Sequence, residues 1–320
     1  MKRGTDIEHA ARVLRAGGLV AFPTETVYGL GADASRDDAV AKIFAAKGRP
    51  RAHPLIVHLA PDARLEDWAA EVPEVAHRLA RAAWPGPLTM ILARGPRVAL
   101  AATGGAETVG LRVPAHPVAQ ALLRAFGGGV AAPSANRFGA VSPTTAEHVA
   151  ADLGDAVDYL LDGGACDVGV ESTIVDLSRG QPVLLRPGGL ARETIEAITG
   201  PLRRADATAP AAPGTLASHY APRAEVIAVR PDEVPGAVAA ATGRVAVLAS
   251  AAAFARWPAL PAIAHPLPDD VAGMARALYA ALRDLDASGV DVVIAALPPA
   301  AGLGEAVGDR LLRAAGPRRT

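Results

Sequence analysis

The stretch LVAFPTETVYGLGADASRDDAVAKIFAAKGRP, Leu19–Pro50, sets the reading of the fold. Leu19–Phe22 is a short apolar run of the length of a buried strand. A polar segment shaped by proline and glycine follows, Pro23–Gly31. Ser35 is placed to cap a helix, with Asp37 and Asp38 in its first turn and Val40, Ile43 and Phe44 on its apolar side. The helix predicted over 35–46 ends at Lys47, Gly48 and Arg49. Strand, polar turn, helix and basic turn within 32 residues is the rhythm of an α/β protein.

The same rhythm extends both ways. Thr5–Ala16 is predicted to be a helix with a capping box at Thr5 and Glu8 and a stop at Gly17–Gly18. Strands are predicted at 54–59, 88–92, 108–113, 129–132, 157–161, 172–177 and 183–186. Helices are predicted at 117–126, 144–153 (capping box at Thr144 and Glu147) and 191–199. From about 201 to 223 the chain becomes rich in alanine and proline without a helical or strand period, as an interdomain linker does. Beyond it a plain βαβ pattern is expected: strand 225–229, helix 233–241, strand 245–249, helix 270–287, strand 290–297 and helix 303–314. That makes a small doubly wound sheet. The expected units are 1–203, a linker 204–223, and 224–320.

Composition limits the function classes. The 320 residues are 51% hydrophobic and 20% charged, with a formal net charge of −1. A core is expected, and a whole-molecule basic field for nucleic acid is not. The single cysteine, Cys166, allows no intramolecular disulfide and no multi-cysteine zinc site. The first 18 residues carry Asp6 and Glu8 and lack a continuous apolar core, and no apolar run reaches the length of a membrane span. A cytoplasmic protein is expected. Lysine occurs only at positions 2, 42 and 47, against 29 arginines, so a retained Lys47 draws notice.

Six stretches near predicted strand ends are candidates for chemistry: 23–31, 47–58, 108–114, 132–145, 169–173 and 184–188. In Lys47-Gly-Arg49, extended or turn backbone would let an ammonium and a guanidinium reach one polyanion. They could equally cap the end of the preceding helix. Arg112 and Arg186 are charges near the ends of apolar strands, either anion hooks or edge residues facing water. Ser134 and Asn136 lie in a small-residue turn that could offer hydroxyls and backbone N–H groups to a phosphate. His53 and His58, five apart, point to opposite strand faces and suit single hydrogen-bonding roles over a shared metal. Tyr220 lies in the linker, where it could close over a cleft. Phosphate-loop, dinucleotide-fingerprint and hydrolase-elbow motifs are missing.

Taken in order, PTETVYGLGADA, IFAAKGRP, PLIVH, WPGPLTMIL, VGLRVPAHPVA, APSAN, SPTTAEHV, GVESTIVDL and LLRPGG resemble the YrdC family of threonylcarbamoyl-AMP synthases. APGTLASHYAP and the ending from Arg283 resemble the linker and extra C-terminal domain of its long form. The resemblance implies a twisted mixed open sheet with a large basic cavity, followed by a small doubly wound α/β domain. It implies condensation of L-threonine, bicarbonate or CO2, and ATP with Mg2+ into threonylcarbamoyl-AMP and pyrophosphate, the product passing to a tRNA threonylcarbamoyl transferase complex.

By the same matching, Lys47 and Arg49 carry the catalysis. ATP contacts fall on Arg49, His53, Thr108, Ser134, Asn136, Ser142, Arg186 and Tyr220. Threonine contacts fall on Thr26, His58, Arg112, Ala132 and Ser172. Two departures stand out. His53 occupies a position where Asn is frequent, and Gly-Asp-Arg-Leu at 308–311 replaces a pattern with Asn before the Arg. The second is expected to concern the C-terminal domain alone. The competing readings are an RNA-binding module in tRNA or ribosome maturation, disfavoured by near-neutral charge and 4% aromatic content, and a carbamoyl transfer of the hydrogenase-maturation kind, whose cysteine-rich zinc segments are missing.

Overall fold

A computed structural model describes residues 1–257 and 259–317. Its strands are β1 (Lys2–Gly4), β2 (Val20–Phe22), β3 (Gly29–Asp33), β4 (Ile56–His58), β5 (Ala69–Glu71), β6 (Leu88–Arg94), β7 (Thr108–Arg112) and β8 (Val130–Ala131). They continue with β9 (Tyr159–Leu161), β10 (Thr173–Asp176), β11 (Val183–Arg186), β12 (Arg203–Arg204), β13 (Glu225–Val229), β14 (Val245–Ser250), β15 (Ile263–Leu267) and β16 (Val292–Ala296).

The first twelve form one mixed, twisted sheet in the order β1-β9-β2-β3-β8-β4-β7-β6-β10-β11-β12, with β5 on β6. Its strands are short and mostly buried, so alternate residues supply two apolar layers. On one face Ala21, Leu30, Val57, Met90, Leu111 and Val175 share a core with Ile43 and Phe44 of helix Asp37–Lys47 and Leu79 of helix Glu74–Ala83. On the other face Val20, Phe22, Val130 and Leu161 pack against helices Ile7–Arg15 and Pro117–Phe126. That helix pair packs on the part of the face built by β2, β8 and β9. Further along, Ile56, Ile91, Ile174 and Leu185 are covered by Ala209 and Ala212 of the linker. A hollow remains between the two coverings.

The last four strands form a parallel sheet, β13-β16-β14-β15. Val247 and Ile294 face Val234 and Val238 of helix Val234–Ala240. Leu248 and Val293 face helices Val271–Ala287 and Leu303–Ala314. This is the expected doubly wound arrangement.

Local details correct the sequence reading. Asp6, not Thr5, caps the first helix, accepting from the His9 N–H. Thr145, not Thr144, caps helix Ala146–Leu153 by accepting from His148. Ser35 caps nothing; its hydroxyl donates to Asp33, and the helix starts at Asp37 after Arg36. Strands β1, β3, β5, β12 and β15 and helix Glu74–Ala83 were not expected. Among the described residues, no helix is long and apolar enough to cross a membrane.

Candidate active site

The hollow is a cavity of about 550 Å³, open space at its mouth included. Thr26, Arg49, His58, Arg112, Ala132, Ser134, Ser172, Arg186 and Tyr220 line it, so most sequence candidates converge. Thr24, Glu171, Pro213, Gly214 and His219 line it as well. The linker therefore forms part of the wall.

The cations come from different elements. Arg112 ends β7 beside His58 of β4, which pairs with it in register. Arg112 donates through Nε to the Gly86 carbonyl at 3.3 Å. Its Nη2 lies 2.7 Å from Glu25 Oε1, an ion pair without the alignment of a hydrogen bond. Arg186, at the end of β11, donates to the Ser172 carbonyl at 2.8 Å and to the Pro213 carbonyl of the linker at 2.8 Å. Arg49 donates to the Pro54 carbonyl at 3.1 Å and stands 5.5 Å from the Phe138 ring centre. Burial brings its pKa down to about 10, which leaves it charged at neutral pH.

Lys47, read as reaching one polyanion with Arg49 or as capping the helix end, is turned toward the Ser134 turn. It does not line the cavity. Its ammonium donates to the carbonyls of Ser134 (2.6 Å) and Asn136 (2.5 Å), and lies 3.3 Å from Asn136 Oδ1. Gly48, at φ 64°, turns the chain through the left-handed region between Lys47 and Arg49. Burial, then the Arg49 charge, push the Lys47 pKa well down. Against this, the three oxygens around it are fully served only by the protonated amine.

Other candidates also sit off the wall. Asn136 donates from Nδ2 to the Ala140 carbonyl at 2.7 Å and so shapes the turn carrying Ser134. Ser142 is buried and donates to Glu171 Oε1 at 2.6 Å. His53 packs edge-on against Phe138, 5.4 Å between ring centres. Thr108 shares the strand face of Arg112 but begins β7, about 13 Å along it.

Several polar atoms at the site are buried without hydrogen-bond partners: Arg49 Nε, His58 Nδ1, Arg112 Nη2, His219 Nδ1, Tyr220 OH and, beside Arg112, Glu25 Oε1. Burial lowers the pKa of His58 to about 3, helped by Arg112, and that of His219 to about 3. Both imidazoles are neutral at physiological pH. Tyr220 is the only non-glycine residue with positive φ among those described, at 60°. Gly214, at φ 76°, lies where a Cβ would strike the Tyr220 hydroxyl. The same Cβ would lie 2.9 Å from Arg186 Nη1, so the linker packs closely against the wall. No sequence pattern assigns a role to Glu171, His219, Thr24 or Glu25, although GVEST, HYAP and PTET are unusual segments.

A family model described as "Telomere recombination" matches residues 12–188. A second, described as the C-terminal domain of threonylcarbamoyl-AMP synthase, matches residues 190–316. The threonylcarbamoyl-AMP synthase of Pyrococcus abyssi is 44% identical, over 98% of this chain and 94% of that protein. The Bacillus subtilis enzyme of the same name is 43% identical, over 98% and 93%. A crystal structure of P. abyssi Sua5 complexed with L-threonine superposes with a TM-score of 0.89 at 42% identity, covering 98% of this chain and 96% of that one.

Proposed function

The chain belongs to the threonylcarbamoyl-AMP synthase family, and from that premise we propose how its cavity runs the reaction. The protein is a nucleotidyltransferase that condenses L-threonine, bicarbonate or CO2, and ATP into threonylcarbamoyl-AMP and pyrophosphate. The relatives favour this over an RNA-binding module.

The observation that carries the site reading is the convergence of unpartnered polar atoms on one cavity. Buried polar groups are nearly always bonded to protein, water or ligand, so a cluster of unbonded ones on one cavity wall favours a polar occupant there. Arg310 Nη2, off the cavity, is the one such atom outside the cluster among the described residues. Threonine sits at the His58–Arg112 end, among the hydroxyls of Thr24, Thr26 and Ser172. Arg112 takes its carboxylate, with Glu25 offsetting part of the guanidinium charge. The threonine hydroxyl meets buried partners that an analogue lacking it would leave unpaired. ATP lies toward Arg49, Ser134, Arg186 and Tyr220. Lys47 and Asn136 act from behind, by holding the Ser134 turn.

The neutral amine of threonine adds to CO2 and releases a proton, or condenses with bicarbonate and releases water, to give an N-carboxylate. That carboxylate attacks the α-phosphorus, and pyrophosphate leaves. No side-chain nucleophile is needed; the wall positions the reactants and offsets charge on the phosphates. Mg2+ arrives as the counter-ion of ATP, part of the substrate. The described residues contain no cluster of three His, Cys, Asp or Glu suited to a resident metal.

We divide the chain into a catalytic unit 1–203, a lid 204–223 and a C-terminal unit 224–320, of which positions 258 and 318–320 lie outside the described residues. The lid keeps water from the carbamate. We place the reaction in the cytoplasm, where ATP and tRNA meet, with the product passing to a tRNA threonylcarbamoyl transferase complex. Mass spectrometry of the product from ATP, bicarbonate and threonine tests the function. A threonylcarbamoyl adduct of AMP requiring all three is expected. Pyrophosphate release that ignores threonine would overturn it.

A further inference from the structure

Arg310 does not belong to the C-terminal domain alone. It sits on helix Leu303–Ala314, is wholly buried, and reaches Glu171, which lines the cavity of the other domain. Its Nε donates to Glu171 Oε2 at 2.7 Å, and its Nη1 to Asp309 at 2.6 Å. Its guanidinium lies 5.1 Å from the ring centre of Tyr220. Glu171 also accepts from Ser142 (2.6 Å) and from the Tyr279 hydroxyl (2.7 Å). Tyr279 stacks on Tyr220 at 5.8 Å. One helical turn past the Arg310 pair, Arg313 donates to the Leu216 carbonyl at 2.6 Å, and its own carbonyl accepts from the His219 N–H at 3.2 Å.

Helix Leu303–Ala314 therefore touches the lid at Leu216, His219 and Tyr220. We propose that this helix is the lid's latch, with Arg310 and Arg313 as positioning residues that hold 216–220 over the cavity. Arg310 also ties that hold to the wall through Glu171 and Ser142. This gives the C-terminal domain a part in the reaction. It rests on the reading that the cavity takes ATP and threonine.

Two features support a latch over plain interdomain adhesion. The first is the kind of contact. Glu171 and Arg310 form a buried ion pair, which is costly to break. The lid touches that pair through the Tyr220 cation–π face alone; the Tyr279 ring stack and the two Arg313 hydrogen bonds lie beside it, and each of these contacts is weak by itself. The lid can lift while the pair stays as a fixed platform. The second is the Tyr220 backbone. A tyrosine at φ 60° persists only where its surroundings over-determine it, and Arg310 and Tyr279 supply those surroundings. Other interdomain contacts, such as the Arg192–Glu305 ion pair and the Arg283–Asp152 pair at 2.7 Å, do not involve residues 216–220.

The test is amide hydrogen exchange read by mass spectrometry on the full-length chain, alongside steady-state kinetics in ATP. Arg310→Met and Arg313→Ala are each expected to speed exchange of the 214–221 peptide about tenfold or more. The KM for ATP should rise by a similar factor, with kcat falling less. Arg192→Ala should leave exchange of that peptide unchanged. If Arg310→Met does not fold, Arg313→Ala, altered at a partly exposed side chain, carries the test alone. Lid exchange equal to wild type in the folded variants overturns the latch. So does acceleration spread evenly over residues 224–317, which would mark a loosened interface. Exchange reports on the lid whether or not the wild-type chain makes product, so a failed synthase reading is seen separately.

Discussion

The cavity wall and the domain boundary are both rich in buried charge, and they treat it in opposite ways. At the boundary Glu171 is bonded to Ser142, Tyr279 and Arg310. With burial opposing, Arg310 and then Arg186 hold its pKa down to about 2. At the wall Arg49 Nε, His58 Nδ1, His219 Nδ1 and Tyr220 OH have no hydrogen-bond partner. Folding bonds most of the boundary, where Arg310 Nη2 alone stays without a hydrogen bond; a ligand is what the wall awaits. Unfinished bonding is concentrated at the wall without being exclusive to it or universal there: Arg186 lines the cavity with each guanidinium nitrogen already bonded.

The contrast breaks most visibly at Arg49. Arg49→Ala is expected to lower kcat/KM for pyrophosphate release on the order of 10³-fold, with the melting midpoint unchanged or raised. A stability loss with normal turnover would make Arg49 a structural residue. Lys47 should behave differently, because its bonds are complete. Lys47→Met strands the Ser134 and Asn136 oxygens and is expected to cost about 3 kcal/mol of stability in urea unfolding, with activity lost as the turn shifts. Equal effects of the two variants on stability would erase the distinction.

The wall should also show itself in pH. His58 and His219 hold pKa values of about 3 in the folded chain, against the ordinary value of 6.5. The unfolded chain binds their protons first, so stability falls as pH drops below 6.5 and continues to fall toward pH 3. Between pH 6.5 and 5.5 each imidazole should cost about 1 kcal/mol, about 2 kcal/mol together. Urea midpoints at both pH values measure this, and a flat profile would mean the rings are hydrated. The smallest effect is at Tyr220. Tyr220→Phe removes a hydroxyl unpartnered in the ligand-free fold, so stability should hold within about 0.5 kcal/mol. The KM for ATP should rise about fivefold, the worth of one hydrogen bond.

Much of this was legible because it is local. Apolar runs with turn residues gave most strands, and helices Pro117–Phe126 and Leu303–Ala314 begin and end where their periodicity predicts. Arg112 and Arg186 stood out as charges at apolar strand ends, and both reach the cavity. What escaped is set by distant partners. Strand β3 reads as a glycine-rich turn and extends only because β2 and β8 flank it. Strand β15 holds Pro266 and survives as an edge strand. Lys47 and Arg49 read equally as an anion clamp or a helix-end cap, and the aim of the two side chains, apart from each other across the left-handed turn at Gly48, is set by no local pattern. Arg310 finds Glu171 139 positions away, and no local pattern records that.

The central claim, that unpartnered groups of one cavity wait for nucleotide and amino acid together, is tested most directly by a crystal structure of the full chain with L-threonine and a non-hydrolysable ATP analogue. The account predicts Arg112 on the threonine carboxylate, and Arg49 Nε and the Tyr220 hydroxyl bonded to the nucleotide. Either ligand bound elsewhere, or these atoms still unpartnered with both ligands in place, would contradict it.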